Sequence, residues 1–115
     1  MNRAQRAQQI WSVLALAASN RQVLTYDLLG RACGVPAASI GDFLRPIQQY
    51  CSEHGWPPLT SLVVGKESGT PGDGFIAEAD VPRAQSRTLA RDWLAEQAPS
   101  EEDLSAAYQR APDAR

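Results

Sequence analysis

Chemistry in a short chain needs a nucleophile beside a base, a set of metal ligands, or a surface that reads a polymer. The thiols are Cys33 and Cys51, eighteen positions apart with no C-x-x-C spacing, so neither a zinc cluster nor a redox pair is indicated. Each falls on an apolar helical stripe, which predicts buried free thiols of a reducing compartment. His54 is the single histidine; it offers a triad or a metal nothing to pair with and is expected at a helix end. No metal or cofactor is implied. The stretch 65–74 holds four Gly and one Pro and invites a phosphate-loop test. It fails, because the order does not match G-x-x-x-x-G-K-[ST] and the stretch carries Glu67 and Asp73. A loop that contacts a partner is the better reading, with the hydroxyls of Ser68 and Thr70 available to it.

Residue types suited to a polyanion are present but sparse. Tyr26, at the start of a short helix, has a ring that reaches a phosphate or base, or else packs beneath a loop. Ser39 and Gly41 lie early in a later helix, where small residues allow close approach to a phosphate or serve as cap and packing. Arg45, expected to be exposed, forms with Arg21, Arg31 and Lys66 either a modest phosphate-contacting surface or a scatter of solvated charges. Eleven basic against thirteen acidic side chains give a net charge of −2, which argues against coating of nucleic acid through bulk charge. The distribution is uneven: residues 1–66 hold six basic side chains (Arg3, Arg6, Arg21, Arg31, Arg45, Lys66) and three acidic ones (Asp27, Asp42, Glu53). That split fits a basic working face followed by an acidic carboxyl end.

The elements that must hold these residues follow from periodicity. At 115 residues, 43% hydrophobic and 21% charged, the chain has room for one folded domain and excludes a two-domain enzyme. No apolar run is long enough for a membrane span and the amino end is not a signal peptide, so a cytoplasmic protein is expected. Ala7, Ile10, Trp11, Leu14, Ala17 and Ala18 recur at helical steps over Asn2–Ser19, with Asn20 as the stop. Thr25 caps a two-turn helix, Tyr26–Cys33, that Gly34 ends. Pro36 opens a third helix, and Pro46 predicts a kink or fresh start, with a fourth helix ending at Gly55. Leu59–Val64 reads as a buried strand, and Phe75–Ala77 as a second strand that returns to make a β-ribbon with residues 65–74 at its tip. A helix from about Pro82 to Gln97 aligns Arg83, Arg87 and Arg91, expected to form intrachain ion pairs. Ser100 caps a last helix, with Asp103 closing a capping box, and 111–115 is expected to fray.

Helix, short strand, helix, helix and ribbon is the order of a winged helix-turn-helix. Specific residues support it: Leu24-Thr25-Tyr26-Asp27-Leu28-Leu29-Gly30-Arg31-Ala32-Cys33-Gly34, then Ala38-Ser39-Ile40-Gly41, then Pro58-Leu59-Thr60-Ser61-Leu62-Val63-Val64. This pattern, spanning about residues 23–76, resembles the DNA-binding domain of alkylguanine-DNA alkyltransferases and alkyltransferase-like proteins. The resemblance implies duplex binding with Tyr26 matching the family's nucleotide-rotating Tyr. Ala38 stands where the family has its stacking Arg, and Thr60-Ser61-Leu62 stands where it has Cys-His-Arg. Acceptor thiol, activating base and both arginines are thus absent, and Thr60 without a partner base is no substitute for a thiolate. An enzyme acting through Thr60 or Cys51 lacks an acid–base pair.

The expected protein is mostly α with a small β-ribbon (α+β), a winged-helix-like domain over 1–97 with two extra carboxyl-terminal helices, the last in 98–115. Its expected function is non-catalytic binding of double-stranded DNA through Tyr26, Ser39, Gly41, Arg45, Lys66, Ser68 and Thr70, linked to repair or regulation. The alternative is a protein-interaction module that offers the 65–74 loop or the carboxyl-terminal helices to a partner.

Overall fold

A computed structural model describes residues 1–112; the expected fraying of 113–115 lies outside them. Helix α1 (Arg3–Ser19) starts at a capping box, in which the Asn2 side chain accepts from the Gln5 backbone and Gln5 returns the bond to Asn2. Two residues of strand β1 (Leu24–Thr25) lead into α2 (Tyr26–Cys33), where the Thr25 hydroxyl accepts from Leu28 N–H at 3.0 Å. Gly34 ends α2 in the left-handed conformation, φ 74°, which its missing Cβ allows. Helix α3 (Ala37–Glu53) follows after a short corner. At that corner Gly30 is indispensable, because a Cβ there would stand 2.7 Å from the Val35 carbonyl oxygen.

The break expected at Pro46 is absent: α3 runs unbroken for 17 residues. Proline removes one backbone donor at this point, at a cost of about 3 kcal/mol in a helix interior. Its ring is fully buried, and α3 packs against α1, α2 and the last helix, α5 (Glu101–Arg110). Contacts on several sides outweigh the missing bond.

The β element also differs from the expected ribbon. Leu59–Leu62 winds into a 3-10 turn, and only Val63–Val64 is strand (β2), paired in parallel with β1 through Leu24↔Val63 and Thr25↔Val64. Phe75–Ala77 does not return as a strand. Gln48 of α3 takes the place of a strand neighbour, its amide donating to Gly74 O at 3.3 Å and accepting from Ile76 N–H at 3.1 Å. With five α-helices and a two-stranded sheet among the described residues, the protein nonetheless has the expected mostly helical α+β class.

Helix α4 (Val81–Ala90) stops seven residues before Gln97, and Arg91 is extended. Its inward stripe is Ala84 and Thr88; Trp93 would fall off that stripe in a continued helix. Unwinding lets the indole turn in and donate to Thr88 O at 2.8 Å, while Leu94 is left exposed. Thr88 is itself a junction. Its hydroxyl lies 2.9 Å from Pro58 O and 2.8 Å from Ala84 O, and the Ser61 hydroxyl sits 3.1 Å away. Its own proton goes to a carbonyl, so Ser61 donates to it.

One core joins the elements: Ile10 and Leu14 of α1, Leu29 of α2, Ile40 and Ile47 of α3, Leu59, Leu62 and Val63, and Leu104 of α5. Each such side chain contributes about 1.5–3 kcal/mol by leaving water. Trp11 meets Tyr50 and Trp93 edge-on, with ring centres 5.7 Å apart in each pair, and Trp56 completes the group. The Arg91 guanidinium lies 4.1 Å over Trp56 and pairs with Glu96 at 2.8 Å. Arg83 and Arg87 share Glu78, so the arginine row of α4 makes the expected ion pairs. No helix among the described residues is long and apolar enough to cross a membrane.

Candidate binding cleft

A cleft of about 290 Å³ opens between the amino-terminal half of α3 and the stretch 72–75, near the lower end of the size range of small-molecule sites. Tyr26, Ala37, Ala38 and Leu44 line it together with Phe75 and Thr60. Two side chains hold its roof. The Tyr26 hydroxyl accepts from Gly72 N–H at 2.9 Å, and Gln48 clasps 74–76 as described. A Cβ at Gly72 would meet the Tyr26 oxygen at 2.9 Å, so a side chain there would require the Tyr26 ring to shift.

The residues singled out from sequence separate into two groups. Tyr26, Gly41 and Arg45 meet at the cleft. Gly41 is exposed with open space where a Cβ would be, so close packing does not explain it. Ser39 is half-buried in the first turn of α3, its N–H donating to Pro36 O at 2.9 Å. Lys66, Ser68 and Thr70 do not line the cleft; they are exposed in a compact turn. There Gly65 N–H donates to Thr70 O at 2.8 Å and Gly69 N–H to Gly65 O at 2.9 Å. The Ser68 hydroxyl bonds the Thr70 backbone, so it closes the turn instead of being held out to a partner.

Arg45 is the main correction. Expected on an exposed edge, its side chain is 17% exposed and engaged within the chain. Nη1 donates to Asp42 at 3.2 Å and to the Tyr108 hydroxyl at 3.0 Å, and Nη2 to Pro112 O at 3.3 Å. Tyr108 lies between this guanidinium and that of Arg3, at 4.7 and 4.1 Å. Arg3 Nε bonds Asp42 at 2.9 Å. Burial alone would raise the Asp42 carboxyl; the bonds from Arg3, Tyr108 and Arg45 outweigh it and hold the group below its ordinary value.

The thiols are unsuited to attack. Burial pushes Cys51 up to about 12 against the weaker opposing pull of a backbone bond from Leu59 and of Arg91. Burial likewise raises Cys33, opposed by Arg6. Both are free and buried, hence protonated near neutrality. His54 is the C-cap of α3, its Nδ1 2.9 Å from Tyr50 O. Among the described residues no group of three or more His, Cys, Asp or Glu is placed to hold a metal.

No protein-family model, curated protein or solved structure matches the chain. The cleft therefore rests on its own geometry. Sequence patterning missed Gln48, whose clasp on 74–76 has no local signal, and gave Thr60 no binding role. Thr60 is only 3% exposed, and its Oγ1 is buried with no hydrogen-bond partner among the described residues.

Proposed function

We propose that this chain is a non-catalytic DNA-binding protein, similar to alkyltransferase-like proteins, that faces duplex with the α3 edge and the 65–70 turn and takes an unstacked base into the cleft. The observation that carries the reading is the cleft itself. It has apolar walls, lies beside the exposed Ala38 and Gly41, and is lined by Tyr26 and Thr60. These are the two positions where the resemblance puts the rotating Tyr and the acceptor thiol. A hydroxyl without a base is a poor nucleophile, so binding without transfer is the chemistry left. The two buried thiols suit a reducing compartment, and we place the protein in the cytoplasm.

Fluorescence anisotropy on a labelled short duplex, with and without one unpaired base, tests this. We expect tighter binding of the bulged duplex and no group transfer to the protein. Lys66→Ala should weaken both complexes by a few-fold, as loss of one phosphate contact does. Equal affinity for both duplexes, or no binding at low salt, rejects the reading.

A second reading, a protein-interaction module using the 65–74 loop or the carboxyl-terminal helices, draws on a specific observation. The one arginine at the cleft is engaged by Asp42 and Tyr108, which lessens the attraction for a polyanion. Capture of a protein partner that survives nuclease treatment favours it.

A further inference from the structure

We propose that residues 71–77 form a gate over the cleft, latched shut by Tyr26 and Gln48, and that its release joins the cleft to a second hollow beside it. The inference concerns access alone and holds whichever occupant enters. From Gly65 to Asp80 the chain has neither helix nor strand and no fully buried residue. Both flanks of the gate are nonetheless tied down. On one side Gly65 N–H donates to Thr70 O; on the other Glu78 pairs with Arg83 and Arg87, and the Asp80 side chain caps α4. Between these ties, among the described residues, hydrogen bonds from the rest of the fold reach 71–77 through two side chains. The Tyr26 hydroxyl accepts from Gly72 N–H at 2.9 Å, and the Gln48 amide donates to Gly74 O at 3.3 Å and accepts from Ile76 N–H at 3.1 Å.

A segment held by three neutral bonds, with Phe75 only half-buried, loses little on lifting and sits at the low-stability end of the molecule. Phe75 N–H donates to Gly72 O at 3.0 Å, which keeps 72–75 one turn and lets the segment move as a unit. What lies on either side of the Gln48 latch gives the movement its consequence. The cleft of about 290 Å³ shares Arg45, Gln48 and Gly74 with a hollow of about 260 Å³ that is also lined by Gln49, Ser52 and Pro112. With the bond between Gln48 and Gly74 broken, the two become one trough along α3 from Ala37 to Ser52. That length of helix makes the trough about 24 Å long, whereas the closed cleft is sized for one small molecule.

Amide hydrogen exchange of the full chain, followed by NMR, tests the gate, with Ile10 in the middle of α1 as the reference for global unfolding. Gly72 and Ile76 should be about a hundredfold or more less protected than Ile10 and should match each other within about threefold, as amides released by one local opening do. Tyr26→Phe removes the acceptor of Gly72 and does not touch the bond of Ile76, yet it should speed Ile76 by about two- to tenfold, the range of one neutral hydrogen bond. Gln48→Leu should in turn speed Gly72 by at least that factor. Access is read separately. Leu44→Cys and Ala37→Cys each place a thiol on the cleft wall, while the native Cys33 and Cys51 are buried and give a slow background. Labelling of either new thiol by a maleimide should quicken in the Y26F and Q48L proteins by the same factors as the amides.

Gly72 and Ile76 as protected as Ile10 overturn the gate, since the segment would then lift only when the molecule unfolds. A Y26F protein that speeds Gly72 but leaves Ile76 unchanged also overturns it, because the two fastenings would act separately. Amides that respond together while neither thiol labels faster overturn the control of access. None of these outcomes bears on duplex binding, so the gate and the proposed function fail independently.

Discussion

Glu53, in the last turn of α3, accepts from Arg110 Nε and Nη2 at 2.6 and 2.7 Å and from Gln49 at 2.8 Å. The bonds from Arg110 and then Gln49 outweigh the small opposing effect of burial and bring its carboxyl down to about 2 from an ordinary 4.5. A carboxylate depressed in the folded state stabilises the fold above its unfolded value and loses that contribution as the pH falls through its folded value. The pair is exposed and screened by salt, so the effect is small. Arg110→Met should lower the thermal midpoint at pH 7, with the gap to wild type closing between pH 4.5 and about 2; a gap that persists at pH 2 contradicts the assignment. At this scale caps are legible, because a cap is a local match of side chain to backbone. Thr25, Gly34, Ser100 and Asp103 end or begin their helices where sequence placed them. The engagement of Arg45 is not legible, since Tyr108 approaches it from 63 residues away.

Among the elements, the corner between α2 and α3 is the most exacting. Gly30→Ala would drive a Cβ to 2.7 Å from a backbone oxygen that cannot step aside, so the helices must part. A loss of about 1–3 kcal/mol is expected, seen as a lower urea midpoint with unchanged slope. Gly41→Ala is the contrasting case: with nothing within 4 Å of the new methyl, it should stabilise α3 by up to about 1 kcal/mol. Equal losses at both sites would contradict this account of the corner. Helix existence was legible from apolar spacing throughout. What escaped were tertiary decisions: α3 carrying Pro46 through its middle, Gln48 supplanting a strand, and Trp93 pulling α4 apart at Arg91.

For the molecule as a whole, size and charge bound what it does to a polymer. Extents of 30 × 29 × 26 Å cover less than one turn of B-form duplex, about 34 Å. Net charge is −2. If duplex is the partner, Lys66 and the exposed Arg21 and Arg31 are the cations available for phosphates. Log affinity should then fall against log salt with a slope between about −1 and −3. A slope of about −6 or steeper would mean an extensive phosphate-contacting face that these cations do not provide. Charge balance was legible from sequence. The seating of α5 on α1 and α3, through Leu104 and Ala107, needed coordinates.

The two-stranded sheet bears on how the chain reaches this state. Leu24 meets Val63 and Thr25 meets Val64, so all of α2 and α3 lies between the paired partners. Two residues per strand cannot offset the entropy of closing so long a loop before its contents are compact. The helical corner at Gly30 is therefore expected to assemble before the β1–β2 pair closes. The roof of the cleft is fastened at Gly72 by Tyr26, the residue directly after β1, and Thr60 sits just before β2. Pairing of β1 with β2 therefore brings together the two segments that carry Tyr26 and Thr60, which both line the cleft.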